Sequence, residues 1–176
     1  MAITPNQITV FACLLCLVFS ALLAWSPWTQ AALLFLPFLM LVRMMLNALD
    51  GMVAKATDTA SALGMALNEI CDVISDLALF SAFLLVLPTM APLWWLLIAL
   101  AMLTEFTSLA VALCTGKRSH SGPFGKSDRA VYLGVLALLL LFIPSNSIWL
   151  TGYLMLGIAL ATMTNFNRFR PLFNSV

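Results

Sequence analysis

The sequence predicts an all-α integral membrane protein of six transmembrane helices, with both termini cytoplasmic. Three observations carry that expectation: an apolar surplus, apolar runs of spanning length, and a segregation of basic and tryptophan residues between alternate connections. With 63% of its 176 residues hydrophobic and 9% charged, the chain has more apolar surface than one soluble core hides. Lipid is therefore the solvent for most of it, and unpaired backbone groups in lipid force the spans into helices.

The expected spans run from Asn6 to Trp25, Thr29 to Ala54, Ser61 to Leu87, Pro92 to Thr115, Arg129 to Ile143 and Ser147 to Arg168. Each approaches the ~20 residues that cross a hydrocarbon core. The first run is too long for a signal-peptide core and no basic residue precedes it, so it is expected to be retained. The connections Ser26 to Trp28, Pro88 to Ala91 and Pro144 to Asn146 carry no charge. Lys55, Lys117, Arg118, Lys126, Arg129, Arg168 and Arg170 all fall on the other side, which the positive-inside rule places in the cytoplasm. Trp25, Trp28, Trp94, Trp95 and Trp149 fall at the charge-free ends, as an interfacial belt would. Without repeats or long linkers, residues 1–176 are expected to form a single transmembrane domain. The four cysteines, Cys13, Cys16, Cys71 and Cys114, lie in apolar runs and read as packing.

Ionisable groups inside spans are costly and usually face a bundle interior or a wet cavity. Asn47 and Asp50 are three residues apart near the inner end of the second span; Asn68, Asp72 and Asp76 recur every four in the third. Each set lines one helical face. The second span runs inward and the third outward, so the two faces are expected to meet. Oxygen donors of this kind suit Mg²⁺, Mn²⁺ or Ca²⁺, and a metal-bound pyrophosphate would balance the charge gathered there. Gly51, Ala54 and Gly64 are small at the crossing, which serves either close helix packing or close approach of a nucleotide.

These residues carry a family resemblance. The stretch Asp50-Gly51-x2-Ala54-Lys55-x8-Gly64-x3-Asn68-x3-Asp72 resembles the signature of the CDP-alcohol phosphatidyltransferases, in which Asp-x2-Asp-Gly-x2-Ala-Arg is followed, about eight residues on, by Gly-x3-Asp-x3-Asp. The opening Thr4-Pro5-Asn6-Gln7-Ile8-Thr9 is also similar to the family's entry into its first helix, and the chain is expected to lack the amphipathic segment many relatives carry ahead of it. The resemblance implies a metal site of Asn47, Asp50, Asn68 and Asp72, nucleotide contacts from Gly51, Ala54, Lys55 and Gly64, and Asp72 as general base. It further implies a bacterial inner-membrane enzyme, a homodimer using Mg²⁺ or Mn²⁺. The reaction implied is phosphatidyl transfer from CDP-diacylglycerol to a small polar alcohol with release of CMP; nucleic acid is not among the expected partners. Asn47 and Asn68 stand where the family has aspartate and Lys55 where it has arginine. Two missing negative charges should weaken divalent binding unless Glu69 or Asp76 compensates. A non-catalytic member that binds a CDP ligand or lipid, and a small ion or solute transporter, are the alternatives.

Two further groups bear on the site. Lys117, Arg118, Lys126 and Arg129 flank a glycine- and serine-rich connection that either holds an acceptor phosphate or sets topology and touches anionic lipid headgroups. Arg43 lies one turn before Asn47, buried in the second span, and is expected to pair with Asp76 or with Glu105 of the fourth.

Overall fold

The structure, a computed structural model, describes residues 4–25 and 29–173. They form six α-helices and no strand: α1 (Pro5–Ala24), α2 (Thr29–Ala56), α3 (Ala62–Val86), α4 (Ala91–Thr115), α5 (Lys126–Phe142) and α6 (Ile148–Phe173). The helices agree in number with the expected spans. By length and composition alone, α1, α2, α4 with the turn before it, and α6 suffice to cross a membrane. Helix α3 carries three acids, Glu69, Asp72 and Asp76, and α5 is only 17 residues long. The Ser26 to Trp28 connection, and with it one tryptophan of the expected belt, lies outside the described residues.

The chain divides into two units, Met1–Val86 and Leu87–Val176. In the first, Pro5 opens α1 where its missing N–H costs nothing, and the Gln7 side chain accepts the Thr4 backbone N–H at 3.0 Å. Helix α1 packs on both α2 and α3. Ala12, Cys13, Cys16 and Leu23 are buried in that contact, while Phe11, Leu14 and Val18 face outward, where lipid solvates them. At 28 residues, α2 is about 42 Å long at the usual helical rise, against a hydrocarbon core of about 30 Å. One end must leave the hydrocarbon, and the end with Asp50 and Lys55 is the polar one. Helix α3 divides by composition: its acids come early, and Leu79, Phe80 and Phe83 are buried in its second half.

In the second unit a 3-10 turn, Pro88–Met90, leads into α4, which packs on α6. Trp94 corrects the expected belt. It is fully buried, whereas Trp25, Trp95 and Trp149 are exposed, because neighbours on a helix point about 100° apart and Trp94 and Trp95 cannot both face outward. Gly116, at φ +71°, ends α4 in the left-handed conformation. The segment after it is pinned rather than loose. Ser108 Oγ donates to Ser119 O at 2.9 Å, Ser121 Oγ to Asn167 O at 3.1 Å, and the Phe124 backbone N–H to Thr164 Oγ1 at 2.8 Å. Gly122, at φ +126°, lies so close to Thr164 that a Cβ there would sit 2.7 Å from its backbone. Gly122 thus fits the segment onto α6. Helices α5 and α6 are clasped by Tyr132 and Tyr153, whose rings stack at 4.5 Å while each hydroxyl donates to the other's carbonyl.

Candidate active site

The polar faces of α2 and α3 meet, as their spacing requires. Asn47 Nδ2 donates to Asp72 Oδ1 at 2.7 Å. One turn deeper, Arg43 bridges two acids: Nη1 reaches Asp76 Oδ1 at 2.5 Å, and Nη2 reaches both Asp72 Oδ1 and the Asp72 carbonyl at 3.2 Å. Of the two partners open to Arg43 in the sequence, the structure selects Asp76 and adds Asp72. Arg43 is 3% exposed and Asp72 4%, so the guanidinium offsets buried carboxylate charge where water cannot, one positive charge against two negative ones.

Nearer the polar end a cavity of about 220 Å³ opens, lined from α2 by Asp50, Gly51, Ala54 and Lys55, and from α3 by Gly64 and Asn68. The connection 57–61 also contributes Thr59, Ala60 and Ser61. Helix α1 closes the wall with Pro5, Asn6 and Thr9. Thr9 Oγ1 donates to the buried Asp50 at 2.6 Å. The sequence singled out every wall residue from α2, but Asn6, Thr9 and Ser61 went unread as site residues. For Asn6 and Thr9 the signal was present: short polar side chains at the mouth of an apolar helix, in the same opening stretch that carries the family likeness.

The structure also separates the two glycines. A Cβ on Gly51 would meet nothing within 4 Å, so its smallness serves the open cavity. A Cβ on Gly64 would meet Asn6 Oδ1 at 3.0 Å and Ser61 Oγ at 3.2 Å, so its smallness serves packing.

Asn68 Oδ1 is a buried acceptor with no hydrogen-bond donor. Among the described residues no three acidic, histidine or cysteine side chains gather at one point. A cation at this site therefore depends on amide oxygen beside carboxylate, and Asp50 with the donorless Asn68 oxygen supplies that chemistry at the cavity wall. Asn47 and Asp72 are bonded to each other, and neither lines the cavity. Glu69 is half-buried, also outside the lining.

The cationic residues of the second unit fall into two kinds. Lys117 is exposed and Arg118 and Lys126 are half-buried, but Arg129 is 1% exposed. Arg129 Nη1 pairs with Glu105 Oε1 at 2.9 Å and donates to Thr104 Oγ1 at 3.0 Å. Arg168, read in the sequence only as a topology marker, reaches Glu105 Oε1 at 3.5 Å and donates to the Thr104 carbonyl. Its signal was Thr164 and Asn165 one turn earlier on the same face of an apolar helix, both buried. Two arginines thus lie within ion-pair distance of Glu105.

The sequence matches the CDP-alcohol phosphatidyltransferase family across residues 2–164. The chain belongs to that family. It is 39% identical over 170 residues to inner membrane protein YnbA of Escherichia coli strain K12, a match covering 97% of this chain and 84% of YnbA. Among solved structures, phosphatidylinositol phosphate synthase PgsA1 of Mycobacterium tuberculosis with manganese and citrate superposes at a TM-score of 0.79. The match has 17% identity and covers 97% of this chain and 83% of PgsA1. The same enzyme with CDP-DAG bound gives a TM-score of 0.73 at 18% identity, covering 98% of this chain and 86% of that one. At such identity the PgsA1 likeness is one of fold. This phosphatidyltransferase-family chain keeps two acids of the signature, Asp50 and Asp72, with amides at the other two positions.

Proposed function

We propose that this chain transfers a phosphatidyl group from CDP-diacylglycerol to a small polar alcohol and releases CMP, at the inner membrane and with the site facing the cytoplasm. The observation that carries the reading is the cavity at the polar ends of α2 and α3, where Asp50, Gly51, Lys55 and Asn68 line one wall beside lipid-facing helices. Family membership and the CDP-DAG-bound PgsA1 of the same fold support the donor; the charge asymmetry of the connections supports the orientation.

In this reading Gly51 lets a nucleotide approach the α2 backbone and Lys55 answers its diphosphate. Asp50 and the Asn68 amide oxygen would hold a divalent cation, Mg²⁺ or Mn²⁺. A cation there supplies charge neutralisation of the diphosphate and polarisation of its phosphorus. Asp72 takes the acceptor's proton: its Oδ1 already accepts from Asn47 and Arg43, so the proton goes to Oδ2. The acceptor oxygen bonds to the phosphorus bearing the lipid, the bond from that phosphorus to the CMP oxygen breaks, and CMP departs.

A second reading rests on the hold of Arg43 and Asn47 on Asp72: a member that binds a CDP ligand without turning it over. CMP release from CDP-diacylglycerol in Mg²⁺ or Mn²⁺, across a panel of alcohols and repeated on Asp72→Asn, separates the two. Release that Asp72→Asn abolishes supports the transferase. Saturable CDP binding with no release on any acceptor supports the binder.

A further inference from the structure

We propose that Asp76 and Arg43 form a positioning pair for Asp72: Asp76 anchors the Arg43 guanidinium, and the anchored guanidinium holds the Asp72 carboxylate in the orientation from which it takes the acceptor's proton. The proposal rests on the reading of Asp72 as the base of the transferase.

Asp76 lies outside the four signature positions, and neither it nor Arg43 lines the cavity. Both are nonetheless kept where a charge is costly, Arg43 at 3% exposure and Asp76 at 1%. Charge offset alone does not account for the arrangement. Arg43 meets two carboxylates and can balance only one, so Asp76→Leu would leave one charge against one. What Asp76 adds is a hold. Its Oδ1 accepts from Arg43 Nη1 at 2.5 Å, a charge-assisted bond between α2 and α3. That bond fixes one arm of a planar, rigid group, and the other arm is fixed with it.

The other arm, Nη2, donates twice to one residue, to Asp72 Oδ1 and to the Asp72 carbonyl, each at 3.2 Å. A donor shared between main-chain and side-chain oxygens restrains the side-chain torsions, because Oδ1 must stay beside the carbonyl. From one turn farther along α2, Asn47 Nδ2 reaches the same Oδ1 at 2.7 Å. Arg43 and Asn47 are four residues apart on α2, and Asp72 and Asp76 four apart on α3, so the four side chains join two helix faces. With Oδ1 committed to these donors the proton goes to Oδ2, and the angle of the carboxylate decides whether that oxygen meets the acceptor's hydroxyl. A misplacement of about 1 Å in a reacting group costs up to about 10²-fold in rate. Asp76 therefore acts on the reaction through Arg43 and touches no substrate.

The test is steady-state CMP release from CDP-diacylglycerol in detergent micelles with Mg²⁺ and an alcohol the wild type uses, with folding checked by thermal unfolding. Arg43→Lys keeps the positive charge but not the planar fork. It is expected to lower kcat about tenfold or more while KM for CDP-diacylglycerol stays within about threefold, because the pair lies outside the cavity wall. Asp76→Leu should lower kcat by a similar factor although it removes the surplus negative charge. Asp76→Asn, whose amide oxygen still accepts from Nη1, should keep kcat within about threefold of the wild type. Wild-type kcat in folded Arg43→Lys or folded Asp76→Leu, a rise in KM alone, or Asp76→Asn as slow as Asp76→Leu would each overturn the positioning pair. Where Arg43→Lys and Asp76→Leu do not fold, Asp76→Asn decides: a tenfold or greater loss there, on the order expected for a misplaced base, would mean that Asp76 supplies charge and not a hold. Release that Asp72→Asn abolishes but that Arg43→Lys and Asp76→Leu leave at the wild-type rate sinks the pair and leaves the transferase standing. A wild type that releases no CMP on any alcohol of the panel sinks the transferase, and the pair with it.

Discussion

Thr9 and Asp50 are joined across 2.6 Å by a hydroxyl-to-carboxylate hydrogen bond that ties α1 to the cavity wall of α2. Asp50 is 6% exposed, so its charge depends on what the protein itself donates, and a bond of this kind contributes about 1–3 kcal/mol. Thr9→Val keeps the shape and removes the donor. It is expected to lower stability by about that amount and to weaken Mn²⁺ binding in the presence of CDP, because Asp50 loses its fixed orientation. Thermal unfolding in detergent and a titration with Mn²⁺ measure the two effects, and Thr9→Ser should restore both.

Gly51 and Gly64 are expected to fail in different ways. Alanine at 51 projects into the cavity and touches no protein atom within 4 Å, so Gly51→Ala should leave the unfolding temperature nearly unchanged while CDP binding falls about tenfold from lost close approach. Alanine at 64 presses on Asn6 and Ser61, and the strain of such overpacking is about 1–3 kcal/mol. Gly64→Ala should therefore lower the unfolding temperature first. Equal effects of the two substitutions on CDP binding and on stability would contradict this division of roles.

How far the sequence could be read follows from which interactions are local. Helix number, the facing of Asn47 and Asp50 toward Asn68 and Asp72, and the small residues at the crossing follow from helical periodicity and the cost of polar groups in lipid. Partner choice does not. Arg43 had an acid available in α3 and another in α4, and only three-dimensional packing selects between Asp76 and Glu105. Arg129 read as a loop cation from its place beside Lys126, yet it begins the second turn of α5 and turns inward to Glu105. Trp94 read as interfacial from its distance to the helix end; its azimuth, which a helix hydrophobic on every side leaves undetermined, buries it instead.

Glu105 holds two buried arginines, so neutralising it should cost more than neutralising either partner. In Glu105→Gln both guanidiniums remain, at 2.9 and 3.5 Å from an oxygen that no longer carries charge. Removing one member of a buried pair costs about 3–5 kcal/mol. Glu105→Gln is expected to fall in that range by thermal unfolding in detergent. Glu105→Gln combined with Arg168→Met should recover part of the loss, since a long apolar side chain then replaces one stranded charge. A double variant no more stable than Glu105→Gln alone would mean that Arg129 is the whole cost.

The Tyr132–Tyr153 clasp requires Gly157. A Cβ at position 157 would stand 2.6 Å from the Tyr132 hydroxyl oxygen and 2.7 Å from the ring carbon that bears it. Helix α6 cannot bend away locally without losing its own backbone bonds, so the Tyr132 ring must move, and its stacking on Tyr153 and both hydroxyl-to-carbonyl bonds go with it. Gly157→Ala is therefore expected to destabilise by about 2–4 kcal/mol, an overpacking cost added to lost hydrogen bonds. Tyr132→Phe removes the nearest atom but keeps the ring carbon, so the pair Gly157→Ala with Tyr132→Phe should be rescued little. Gly157→Ala with Tyr132→Leu, which empties the space the Cβ needs, should be more stable than Gly157→Ala alone. Unfolding in detergent of the three variants measures this, and equal stability of the two double variants would show that the hydroxyl, not the ring, makes the contact.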